Sequence, residues 1–81
     1  MTQTPNLDAL RPPLLRALHV RGWTRDFHQH GPVFTIRARK GVLTTTLRFR
    51  EDGDGVTYER EGNGADLALR DLAAEGLEVL R

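Results

Sequence analysis

The chain has no cysteine and no serine, and a single lysine, among its 81 residues. Without cysteine there is neither a disulfide nor a thiolate ligand for a metal. Without serine, a serine nucleophile is excluded. Uninterrupted apolar runs never exceed three residues, so no segment can cross a bilayer as a helix. Met1 to Pro13 has no cationic start and no continuous apolar core, which argues against a signal peptide and leads to a cytoplasmic reading. Aromatic residues make up only 6% of the chain, five side chains in all, so few large groups are at hand to build a core or to stack on bases. A chain of this length makes one small domain, which buries only about 60–65% of the surface its unfolded form exposes.

Charge is abundant and unevenly placed. Residues 1–50 carry nine basic side chains against Asp8 and Asp26, a net +7; residues 51–81 carry three basic against nine acidic, a net −6. All the basic residues but Lys40 are arginine. A GC-rich coding sequence produces that bias, and guanidinium also suits bidentate contact with phosphate or carboxylate.

Helical and strand periodicities divide the chain. Asn6 can cap one turn holding Leu7 and Leu10, and residues 1–11 read as weakly structured, because Pro12 and Pro13 each lack an amide donor and block a helix from running through. A first helix is predicted from about Pro12 to Arg21, with Gly22 as its left-handed stop and Leu14, Ala17, Leu18 and Arg21 on one face. Residues 12–81 then form a single α+β domain. In the first strand Trp23, Arg25 and Phe27 alternate with Thr24, Asp26 and His28 until a turn at Gln29-His30-Gly31-Pro32.

The second strand, Val33 to Arg39, sets Phe34, Ile36 and Ala38 against Thr35, Arg37 and Arg39. Lys40-Gly41 reads as a two-residue hairpin loop. Pairing Arg39 with Val42 then places Ala38 beside Leu43, Ile36 beside Thr45 and Phe34 beside Leu47, so the apolar faces coincide. A loop at Glu51-Asp52-Gly53-Asp54 leads to a fourth strand over Val56 to Arg60, with Phe49 beside Val56, Leu47 beside Tyr58 and Arg48 beside Thr57. Asn63 is a candidate cap for a second helix from about Gly64 to Glu75, with Leu69, Leu72 and Ala73 inward, Ala65 and Ala68 near them, and Gly76 as its end. The tail from Leu77 reads as a short edge strand. Leu15-Arg16-Ala17-Leu18 before Gly22 echoes Leu69-Arg70-Asp71-Leu72 before Gly76. The expected architecture is α-β-β-β-β-α: a four-stranded antiparallel meander with two helices packed on one face.

Alternation leaves the other face open, carrying Thr35, Arg37, Arg39, Thr44, Thr46, Arg48, Arg50 and Glu59. Arg37, Arg39, Arg48 and Arg50 are the candidate binding residues, since guanidinium groups on one face can grip successive phosphates of RNA or DNA. Against this stands neutralisation of Arg48 by Glu59 or Glu61 across the sheet. Asp26, His28 and His30 are spaced two apart and would share one side of a continuous strand. They are candidate ligands for a transition metal, or an acid–base pair for RNA cleavage with Arg37 on the phosphate. If His30 belongs to the turn, they do not converge. Asp52-Gly53-Asp54-Gly55 lacks the spacing of a calcium loop and reads as an acidic turn. Gly62 and Gly64 lack the third glycine of a phosphate loop.

The order helix, Gly22-Trp23, strand, glycine turn, strand is similar to the opening of the HicA-type ribonuclease toxins. The resemblance implies a fold like that of a double-stranded RNA-binding domain. In that family a Gly-Ser/Thr-His segment supplies the catalytic histidine. The matching Gly31-Pro32-Val33 has none, so the resemblance implies the fold and not the activity. No cofactor is indicated. The function expected is a small non-catalytic module that binds nucleic-acid backbone. The alternative is a protein-interaction module or homodimer in which the basic half meets the acidic half of a neighbour. A His-dependent ribonuclease stands third.

Overall fold

Six elements follow one another in the computed structural model, which describes residues 7–53 and 55–77. They are α1 (Leu7–Val20), β1 (Thr24–His30), β2 (Val33–Lys40), β3 (Leu43–Asp52), β4 (Gly55–Glu61) and α2 (Ala65–Ala74). The strands form an open antiparallel sheet in the order β1-β2-β3-β4. Both helices cover one face of it, as the periodicity predicts. Leu14, Ala17 and Leu18 from α1 and Ala68, Leu69 and Leu72 from α2 share one core with Phe34, Ile36, Ala38, Leu47 and Phe49. The edge strand expected from Leu77 onward lies largely outside the described residues.

The first helix begins five residues earlier than its prolines suggest. Pro12 and Pro13 lie inside α1, and residues 7–11 are helical rather than weakly structured. Each proline deletes one amide from the helical ladder. Tertiary packing offsets the loss: Leu7 is 1% exposed and Leu10 is half-buried on the same stripe as Leu14. Complete burial of one leucine contributes about 1.5–3 kcal/mol. The Leu7 amide also donates to Glu51 Oε1 at 3.3 Å, so a carboxylate from β3 sits at the electropositive end of α1.

The β2–β3 and β3–β4 hairpins preserve the predicted faces and shift the predicted register by two residues. Lys40 pairs with Leu43, which places Ile36 opposite Leu47 and Phe34 opposite Phe49. The loop is therefore Gly41-Val42, not Lys40-Gly41. Gly41, at φ +62°, holds the first central position, where a hairpin turn with one positive φ needs glycine. Val42 is left at the tip, 89% exposed. Likewise Asp52 pairs with Gly55, which shortens the second loop and sets Phe49 against Tyr58, Leu47 against Arg60 and Arg48 against Glu59. A shift of two residues leaves every side chain on its own face, so alternation cannot detect it. The observed registers bring the larger apolar side chains opposite one another, and Phe49 and Tyr58 lie 6.0 Å apart between ring centroids.

The two helices end alike. Trp23 N donates to Leu18 O (2.9 Å) and Gly22 N to His19 O (3.1 Å); Leu77 N donates to Leu72 O (3.3 Å) and Gly76 N to Ala73 O (3.0 Å). Gly22 and Gly76 both have φ +87°. Each is a left-handed stop with a hydrophobic residue folding back, which explains the sequence echo as shared cap chemistry. Trp23 closes the first stop and is 2% exposed, as expected of a core residue. Its indole donates to Asp71 Oδ2 on α2 at 2.9 Å. Lys40 Nζ approaches the same oxygen (3.7 Å) and lies 5.8 Å from the Trp23 ring centroid.

Asn63 does not cap α2. Its Oδ1 accepts the Thr44 amide (2.9 Å), and Gly64 occupies the cap position with no side-chain bond. The Gly64 amide donates to Thr44 O at 2.8 Å. The segment after β4 is thus stitched to the start of β3, because Thr44 has no strand partner there once β4 has ended at Glu61 opposite Thr46. Ala73, expected inward, is exposed; Leu69 and Leu72 face inward, and Ala65 and Ala68 are buried beside them, as the periodicity predicts.

Candidate functional site

The open face is a grid set by the register. Arg39 lies between Thr24 and Thr44, and Arg37 between Asp26 and Thr46. Arg48 lies between Thr35 and Glu59, and Arg50 between Val33 and Thr57. All four predicted arginines project from the face opposite the helices, and all are exposed. Arg37 and Arg48 are diagonal neighbours, at a separation of about 7–8 Å for this pleat.

They do not form one site. Arg37 and Arg39 line a concavity of about 640 Å³ at the end of the sheet near Gly62, together with Thr24, Arg25, Asp26, Thr44, Thr46 and Glu61. Neither makes an ion pair or a side-chain hydrogen bond among the described residues. Arg48 lies outside the concavity and reaches Glu59 Oε2 at 3.4 Å, the cross-strand neutralisation anticipated from sequence. Both partners are exposed, so the contact is weak and screened. Arg50 is further along the face and has no ion pair among the described residues. Thr35 shares the face but is buried, 7% exposed. It is a short side chain in an inner strand, between His28 and Arg48.

Three features build the concavity. Alternation along β2 and β3 raises Arg37, Arg39, Thr44 and Thr46 from its floor. The register with β1 brings Thr24 and Asp26 to one side. On the other, Thr45 Oγ1 donates to Glu61 O at 3.0 Å, and Gly62 passes directly over β3. A side chain at Gly62 would collide with the Thr44 backbone, so this wall requires glycine. The side chains raised on this face are two guanidiniums (Arg37, Arg39) against two carboxylates (Asp26, Glu61), a local balance of zero; Arg25, opposite Ala38, projects to the helix side. Sequence reasoning picked out Asp26 as a metal ligand and Glu61 as a partner of Arg48. Their place beside Arg37 and Arg39 depends on the exact register and on the turn at Gly62, which periodicity does not carry.

β1 extends through His30, so His30 is not in the turn. The His28 and His30 rings stand edge to face, 5.5 Å between centroids. Among the described residues no group of three His, Cys, Asp or Glu side chains is placed to hold a metal ion, so Asp26, His28 and His30 do not form the ligand set that their spacing allowed. The charge asymmetry between the two halves of the chain is partly satisfied internally: Arg21–Glu75, Lys40–Asp71 and Arg48–Glu59 each join one half to the other.

No helix among the described residues is long and apolar enough to cross a membrane. Comparison with protein-family models, with curated proteins and with solved structures finds no match. The similarity to the opening of the HicA-type toxins gains no support from these comparisons.

Proposed function

We propose that the open sheet face is a non-catalytic surface for the phosphate backbone of RNA or DNA, working in the cytoplasm. The observation that carries the reading is the pair Arg37 and Arg39. Their guanidiniums lack an ionic partner among the described residues and stand beside the hydroxyls of Thr24, Thr44 and Thr46 in one concavity. Guanidinium and hydroxyl donors side by side match the acceptor oxygens of adjacent phosphates. Arg50 extends the track along the face, and Arg48 joins it when phosphate displaces the exposed Glu59. Among the described residues the face presents no Trp or Phe platform for bases, only the His28 and His30 rings at its edge, so the contact is mainly electrostatic and indifferent to sequence. Asp26 and Glu61 oppose a phosphate and hold the affinity down.

The test is fluorescence anisotropy of labelled single- and double-stranded RNA and DNA across a salt series. Three phosphate contacts predict binding at about 200 mM salt to be about 40-fold weaker than at about 50 mM for duplex DNA, and about 20-fold weaker for single strands. Arg37→Ala/Arg39→Ala should abolish binding, while Arg16→Ala/Arg70→Ala, on exposed helical positions, should leave it intact. Asp26→Asn/Glu61→Gln should tighten it. No binding at low salt, or equal losses in the two arginine pairs, rejects the reading. The first of those outcomes turns attention to an acidic protein partner.

A further inference from the structure

β1 is an outer strand of the sheet, and among the described residues its outer edge pairs with no other strand. Proteins usually guard such an edge with brevity, proline, lysine or a bulge, since its free amides and carbonyls template pairing with another chain. β1 has none of these guards; its two charged side chains, Arg25 and Asp26, are of opposite sign and alternate between its two sides. It is seven residues long, Thr24–His30, without proline or lysine, and its ladder to β2 is unbroken. All seven residues are exposed, and the central one, Phe27, leaves 51% of its surface in water.

The geometry restricts how a second copy can add here. His30 and Val33 close a two-residue loop at Gly31-Pro32. In such a hairpin the closing pair is hydrogen-bonded, and bonded pairs alternate along the ladder. Thr24, Asp26, His28 and His30 therefore direct their amides towards β2, and Arg25, Phe27 and Gln29 direct theirs outward. An antiparallel copy must match outward residues with outward residues. Only a two-fold centred on Asp26, Phe27 or His28 does this with substantial overlap. Centring on Asp26 opposes two carboxylates, centring on His28 opposes two imidazoles, and each pairs only the five residues that overlap. Centring on Phe27 pairs all seven. It sets Asp26 against the partner's His28, Arg25 against the partner's Gln29 and Thr24 against the partner's His30. Asp26 then meets a donor, Arg25 lies beside a neutral Gln29 whose Oε1 also accepts from Arg11, and no like charges face each other.

We propose that the protein forms a two-fold dimer through β1, with Phe27 opposite the partner's Phe27 in a continuous eight-stranded sheet. Phe27 lies on the helix side of the sheet and already packs on Phe34, with ring centroids 5.8 Å apart. Pairing carries the apolar core across the edge and covers the large exposed ring. The Asp26–His28 pairs form on the open side. The proposal stands independently of phosphate binding, and it places two arginine concavities on the same side of one sheet.

The test is the solution mass by sedimentation equilibrium, with charge replacement at the self-opposed position. The native protein should weigh twice its 9.1 kDa chain mass. Phe27→Lys and Phe27→Glu should each be monomeric, because each opposes a charge to itself, and circular dichroism should show both folded. An equimolar mixture of the two should return to twice the chain mass, since lysine then faces glutamate. In the native protein, hydrogen exchange should find the amides of Arg25, Phe27 and Gln29 protected, a readout that needs no variant. A native monomer overturns the proposal, and so does a dimer that both variants retain or fast exchange at those three amides. A mixture that stays monomeric overturns the Phe27 register.

Discussion

Gly62 is where a single methyl group should do the most damage for its size. Gly62 sits at φ +102°, and a β-carbon there would stand 2.5 Å from the Thr44 carbonyl oxygen and 3.0 Å from the Thr45 α-carbon. Those are backbone atoms of an inner strand, and Thr44 is held on both sides by Asn63 Oδ1 and the Gly64 amide. Neither neighbour can move without breaking these bonds. Gly41 is the natural control, because its φ is also positive, +62°, but nothing lies within 4 Å of its would-be β-carbon. Alanine at a left-handed position costs roughly 1–2 kcal/mol, offset by roughly 0.4–1 kcal/mol from a stiffer unfolded chain. Gly41→Ala should therefore lose about 1 kcal/mol. Gly62→Ala adds the cost of forcing atoms into a packed region, about 1–3 kcal/mol, for a total of about 2–4 kcal/mol. For a domain of this size that lowers Tm by about 10–25 °C. Urea unfolding followed by the fluorescence of Trp23, the sole tryptophan, measures both variants against the native chain. If Gly62→Ala is no worse than Gly41→Ala, the segment after β4 does not press on β3 and does not wall the concavity.

Two further predictions concern the helices. Asp71→Ala leaves the buried Trp23 indole without its acceptor and should cost about 1–3 kcal/mol. Glu75→Ala removes only the more exposed Arg21 pair and should stay within about 1 kcal/mol; the same urea assay would refute this by showing equal losses. Pro12→Ala should stabilise the protein by about 1–2 kcal/mol, because it restores a helical amide at an exposed position inside α1. A lower melting temperature by circular dichroism would mean that the helix does not run through the prolines.

Local rules alone account for the features legible along the chain. Alternation in β2 and β3 assigned Phe34, Ile36, Leu47 and Phe49 to the core and Arg37, Arg39, Arg48 and Arg50 to the opposite face, because side-chain direction in a strand depends only on parity. Gly22 and Gly76 marked both helix ends, since only glycine adopts the left-handed stop cheaply. Other features belong to the tertiary structure alone. Register is decided by which side chains fill the core opposite one another, and a two-residue shift leaves parity untouched; hence Phe34 meets Phe49, and Arg48 meets Glu59. The helix runs through Pro12 and Pro13 because burial of Leu7 and the Glu51 carboxylate outweigh two missing amides. Asn63 binds β3 instead of capping α2, because the β4–α2 connection passes over Thr44. The four arginines, equal by periodicity, are divided by long-range contacts. Arg48 is drawn to Glu59, while Arg37 and Arg39 are gathered with Thr24, Asp26 and Glu61 into one concavity. Parity is a property of neighbours along the chain, and a concavity is a property of residues that only the fold brings together.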